Sequence, residues 1–145
     1  MKRIVALISV ILLSACAQTP SSAVNVAQLP ALGPYSQAVR AENFLFISGI
    51  IAYDPVTRGF AAPDIDSQSR QALENLGSVL EANGLSMSDV VKTTVFLKNP
   101  GDVAGMNAVY AQFFQAGLPA RTTVPGVNWG RDDILIEIEA IAVHK

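Results

Sequence analysis

The run Ile134–Val143, ILIEIEAIAV, alternates without a break. In an extended chain Ile134, Ile136, Ile138, Ala140 and Ala142 share one side, and Leu135, Glu137, Glu139, Ile141 and Val143 share the other. A period of two does not wrap onto one face of a helix, so the run is a strand with one side against a core. Its second side carries two carboxylates and then two aliphatic side chains. That side is neither plain core nor plain solvent surface.

The rest of the chain supplies partners for this strand. Tyr35–Arg40 reads as extended, with a hairpin turn at Ala41–Asn43. Phe44–Ile51 (FLFISGII) is apolar at both parities and predicts a strand buried on both faces. Gly49 inside it marks a close backbone approach. A turn at Asp54–Gly59 leads to a short strand at Phe60–Ala61. Asp64–Asn83 has a helical stripe of Ile65, Ala72, Leu73, Leu76, Val79 and Leu80, with Asp64 or Asp66 as cap and Gly84 beyond its end. Val90–Leu97 (VVKTTVFL) is β-branched and aromatic, hence a strand. Asp102–Gln115 is a second helix, facing inward through Val103, Met106, Val109, Tyr110 and Phe113. The order β-β-β-α-β-α-β predicts an α+β fold, with both helices on one face of a mixed sheet. The opposite face stays partly apolar at Phe44 or Leu45, Ile141 and Val143, so the chain is expected to oligomerise through it.

The N-terminus stands apart. Met1–Arg3 is basic, Ile4–Leu13 is apolar but short of a bilayer span, and Leu13-Ser14-Ala15-Cys16 follows. This resembles a bacterial lipoprotein signal. It implies a signal peptide over residues 1–15, a lipidated Cys16 heading a flexible tether over 16–28, and a domain over 29–145. An ordinary secretory signal cut near Ala15 or Ala17 is the alternative, and both predict export. The resemblance predicts a membrane-anchored periplasmic lipoprotein. Ala17, where an Asp would retain a lipoprotein at the inner membrane, favours the outer membrane.

Composition narrows the chemistry. The single His is His144 and the single Cys is Cys16, so Cys–His nucleophiles and His- or Cys-based metal sites are excluded as expectations. Asp132-Asp133 reads as a solvated loop. No glycine-rich phosphate motif occurs. With a formal charge of −2 and no basic tract, the chain lacks the signature of a nucleic-acid binder. Arg, Glu, Tyr, Asn, Ser and Thr remain, a set suited to holding a small carboxylate and managing a water. Arg121, within PARTTV, is either a bidentate carboxylate grip or half of a structural ion pair. Glu137 and Glu139 either share a site or form a solvated edge. Tyr35 is presented from a Gly-Pro turn, and Asn107 interrupts a helix that has little local use for it.

LGPYSQAV at 32–39, FISG at 46–49, DVVKTTVF at 89–96, NAVY at 107–110 and the PARTTV…IEIEAIAV end together resemble the Rid family, the YjgF-type enamine/imine deaminases. The likeness runs from about Pro30 to Val143. It implies a chorismate-mutase-like fold, a homotrimer with sites between subunits, and no cofactor. It also implies hydrolysis of 2-enamino or 2-imino acids to 2-keto acids and ammonia. By the resemblance, Arg121 holds the substrate carboxylate and Glu137 positions or activates water, while Tyr35, Ser48, Asn107 and Thr123 line the pocket. The chain departs from the family pattern at Thr123, where a Cys is frequent, and in the loop 125–133 (PGVNWGRDD), which is longer and carries Trp129. These departures keep open a non-catalytic binding module for a small carboxylate such as a 2-keto acid. Relatives are also described as ribonucleases or holdases, and the acidic balance counts against nucleic acid.

Overall fold

The computed structural model describes residues 21–144. The expected signal segment and Cys16 lie outside that range. The alternating run becomes β8 (Ile136–Val143), placed inside a six-stranded sheet. Its neighbours are β3 (Phe44–Ile51) and β6 (Val90–Leu97), both antiparallel to it. β1 (Ser22–Val24) and β2 (Ala38–Ala41) extend the sheet beyond β3, and β7 (Ala120–Pro125) pairs parallel with β6 at the other edge. The order is therefore β1-β2-β3-β8-β6-β7. A separate two-residue hairpin joins β4 (Tyr53–Asp54) and β5 (Gly59–Phe60).

The parity of β8 decides which face is covered. Ile136, Ile138, Ala140 and Ala142 are buried against α1 (Ile65–Glu81) and α2 (Val103–Phe113), in one core with Leu45, Ile47, Val95 and Leu97. Each fully buried aliphatic side chain there contributes roughly 1.5–3 kcal/mol. α1 starts where Asp64 accepts a hydrogen bond from the Ser67 amide at 2.8 Å, and the chain leaves it through Gly84 at φ +70°. Asn75 of α1 donates to the carbonyls of Ile51 and Tyr53 at 2.9 and 2.7 Å, which ties down the end of β3. The α+β arrangement with two helices on a mixed sheet is the one expected.

Three local expectations change. Ser22–Val24 falls in the stretch read as a tether, yet it adds a strand at the sheet edge. Gln37 secures that region by bonding to Val26 and to the Leu29 carbonyl. The expected order has no strand at 120–125, where β7 forms. Its short polar sequence carries little periodic signal, and the parallel pairing with β6 supplies the order. Finally, β3 is buried on one face only in the single chain. Phe44 and Phe46 are 44% and 46% exposed, beside half-buried Ile141 and Val143.

Candidate functional site

The expected site residues separate into two groups on opposite faces of the sheet. Arg121 lies on β7 opposite Thr93 of β6, on the helix side. Thr93 is buried and shares a 2.7 Å hydrogen bond with the Tyr110 hydroxyl of α2. The Arg121 guanidinium sits 4.7 Å from the centre of the Tyr110 ring and donates to Asn107 Oδ1 at 2.6 Å. It also contacts Met106 Sδ at 3.8 Å. The otherwise unexplained Asn107 is thus an anchor for the arginine. Burial pushes the Tyr110 phenol up, opposed by the Thr93 hydrogen bond and the Arg121 charge, so the ring beneath the guanidinium stays neutral. Among the described residues the ion pairs are Lys98–Asp132 and Arg131–Asp133. The described partners of Arg121 are neutral, so among the described residues no ion pair holds it, and the guanidinium faces an open cleft of about 400 Å³ beside Leu118 and Pro119. Thr123 follows on the same side, opposite Val95. The two acidic residues of the loop are held by Lys98 and Arg131, in line with a solvated loop.

Glu137 belongs to the other face, between buried Ile136 and Ile138 on β8. Its Oε2 accepts the indole N–H of Trp129 at 2.8 Å. Its carboxylate lies over Gly49 of β3, where the β3–β8 register shifts between Ile47 and Ile50. A Cβ at position 49 would fall 1.9 Å from Glu137 Oε1, so the close approach expected of this glycine is made by the carboxylate. Burial raises the Glu137 pKa above the usual carboxylate value. The Trp129 hydrogen bond works against that rise, and Glu139 on the same strand adds to it. Tyr35, Ser48, Trp129, Arg131 and Glu137 enclose a cleft of about 380 Å³. Ser48 donates to the Ser36 carbonyl at 2.8 Å, and the Tyr35 hydroxyl accepts from the Leu32 amide at 3.3 Å. A narrow recess of about 40 Å³ continues behind Tyr35 toward Leu29, Ile50 and Tyr53.

Arg121 and Glu137 do not meet within one chain. Glu137 pairs with Phe96 of β6, and Phe96 pairs with Val124 of β7, three residues along from Arg121. Two strand spacings of about 4.8 Å and three residues of about 3.3 Å separate them, and their side chains leave the sheet on opposite sides. Sequence reasoning places Tyr110 on the inward side of the second helix and Trp129 in the lengthened loop. It misses the stacking role of the first and the hydrogen bond of the second, because both depend on contacts across strands.

Residues 22–144 match the family model described as Endoribonuclease L-PSP. A RutC family protein of Pyrococcus horikoshii is 53% identical over 114 residues, which are 79% of this chain and 90% of that one. The 2-iminobutanoate/2-iminopropanoate deaminase of Salmonella typhimurium is 46% identical over 118 residues, 79% of this chain and 91% of that one. Among solved structures, E. coli TdcF with bound serine superposes with a TM-score of 0.78 at 39% identity, covering 86% of this chain and 99% of that one.

Proposed function

The chain belongs to the endoribonuclease L-PSP family, the group of RutC and Rid proteins, and from that premise we propose that it hydrolyses small 2-enamino and 2-imino acids to 2-keto acids and ammonia. The observation that carries this reading is the uncompensated Arg121 guanidinium, held flat by Asn107 and Tyr110 and ready for a carboxylate. Glu137, with its raised pKa, is suited to exchanging a proton with water. Arg121 holds the substrate carboxylate. Water adds to C2 of the protonated imine as Glu137 takes one of its protons. The proton passes to nitrogen, the C–N bond breaks, and the C2 hydroxyl loses its proton to become the ketone. An iminium carbon plus water thus gives a ketone and ammonium. The recess behind Tyr35 has room for a short apolar side chain on C2.

The opposed faces call for a second copy. In this reading the Arg121 cleft of one protomer closes against the Glu137 cleft of the next, within the homotrimer that the Rid resemblance implies. The exposed Phe44 and Phe46 support an assembly through the open face. We also propose that residues 1–15 are a lipoprotein signal and that lipid on Cys16 anchors the domain in the periplasm, with the outer membrane favoured. Metabolic labelling with a fatty-acid probe should mark the wild type, and an unlabelled Cys16 would remove the anchor.

The deaminase test uses imino acids generated by an amino-acid oxidase, with keto-acid formation followed against the uncatalysed rate. Wild type accelerates it; Arg121→Ala loses at least about a hundredfold in kcat/KM, the scale of removing a charge-assisted carboxylate contact in a closed site. Full activity in Arg121→Ala would sink the mechanism. A second reading, a small-carboxylate binding module without turnover, is favoured by the serine bound to the TdcF relative. Saturable binding of a 2-keto acid with no acceleration of any imine would select it. RNA cleavage, named in the family description, is disfavoured by the formal charge of −2 and the lack of a basic tract in the sequence.

A further inference from the structure

The loop between β7 and β8 is built around one side chain. It leaves β7 with the amides of Gly126 and Val127 both donating to the Leu97 carbonyl, at 2.8 and 3.0 Å. Asn128 Oδ1 accepts from the Gly130 amide at 2.8 Å, an Asx turn that brackets Trp129, and Gly126 and Gly130 take positive φ of 84° and 69°. The far end is clamped by Gln68 of α1, 1% exposed, which donates to the Asp133 carbonyl at 2.8 Å and accepts from the Leu135 amide at 2.9 Å. Lys98 adds bonds to Arg131 and Asp132. This strapping delivers the Trp129 indole to Glu137 Oε2. On the other side Gly49 leaves no Cβ in the way of Oε1.

We propose that Trp129 is a positioning residue: its indole N–H clamps Oε2 of Glu137, so that Oε1, lying over Gly49 in the Tyr35–Ser48 cleft, is the oxygen that handles water. The catalytic consequence rests on the deaminase reading above; the clamp itself does not. An N–H donor stabilises the carboxylate over the acid. It holds the midpoint of Glu137 below where burial and Glu139 alone would put it. Other ionisable groups near Glu137 are Arg131 of the loop, paired with Asp133, and Tyr35 of the segment before β2. β3 contributes none, and β6 faces Glu137 with Phe96, its lysines lying at Lys92 and just beyond its end at Lys98.

Trp129→Phe keeps a ring in the loop and removes only the donor. With the Glu137 side-chain carboxyl followed by carbon-13 NMR across pH, its midpoint should move upward in the variant. The kcat should fall about tenfold, as expected for one lost charge-assisted hydrogen bond, with KM within about twofold because Trp129 is not asked to bind the substrate. The acid limb of the rate profile should move up with the NMR midpoint. An unchanged midpoint overturns the proposal. The wild type gives a second check, since Trp129 is the only tryptophan and its indole proton is a single resonance. That resonance should titrate with Glu137 and lose the transition in Glu137→Gln; a flat indole resonance in the wild type overturns the clamp. If the wild type turns over no imine, the functional reading fails, and these two titrations still decide the positioning.

Discussion

Gly49 and Glu137 form one unit at the residue scale. The nearest atoms to a Cβ at position 49 all belong to Glu137, at 1.9, 2.5 and 2.8 Å, and Gly49 is not among the glycines with positive φ. The glycine is therefore needed for room, not for its backbone angle. Gly49→Ala should cost about 1–3 kcal/mol, the usual scale of overpacking, and should remove most activity by displacing the carboxylate. In a Glu137→Ala background the same change should cost markedly less, because the clashing atoms are gone. Urea unfolding of the four proteins of this cycle measures the difference; an additive cycle would show that the methyl is resisted by something other than Glu137. The arginine follows similar logic. Asn107 and Tyr110 fix the guanidinium without neutralising it, which an acidic partner would have done.

At the scale of elements, the β7–β8 loop depends on α1. Gln68 is buried and satisfies two backbone groups of the chain entering β8. Gln68→Ala leaves those groups without their partner and should destabilise the domain by about 2 kcal/mol, read from the shift of the urea midpoint. It should also loosen Trp129, whose fluorescence anisotropy is an uncomplicated reporter in a chain with a single tryptophan. An unchanged anisotropy with a lowered midpoint would mean that Gly126, Val127 and Lys98 hold the loop by themselves.

At the scale of the whole molecule, the sheet separates the two halves of the proposed site. Arg121 faces the helix layer and Glu137 the open layer. If neighbouring copies share each site, Arg121→Ala and Glu137→Gln proteins should each be inactive, yet unfolding and refolding them together should restore activity. Random one-to-one mixing in a cyclic oligomer gives about a quarter of the wild-type sites. No recovery from a mixture shown by mass spectrometry to contain mixed oligomers would place both residues' work within single chains. Phe46→Glu, on the exposed apolar face, should weaken assembly in sedimentation and lower activity with it.

The sequence by itself determined what depends on near neighbours along the chain. The alternation of β8 named its buried face, the helical stripe named α1, and Asp64 or Asp66 and Gly84 bracketed α1, the structure choosing Asp64 as the cap. Composition limited the chemistry to arginine, carboxylates and hydroxyls, and the motifs around Tyr35, Asn107 and Arg121 pointed to the family. Only the tertiary structure decided which of these residues meet. Asn107 finds Arg121 because α2 packs over the β6–β7 edge, and Gly49 finds Glu137 because β3 pairs with β8 across a register shift. Trp129 reaches its carboxylate through a loop tied to α1 and β6. β1 and β7 gain their order from pairing with β2 and β6, since neither short segment carries enough apolar periodicity to declare a strand alone.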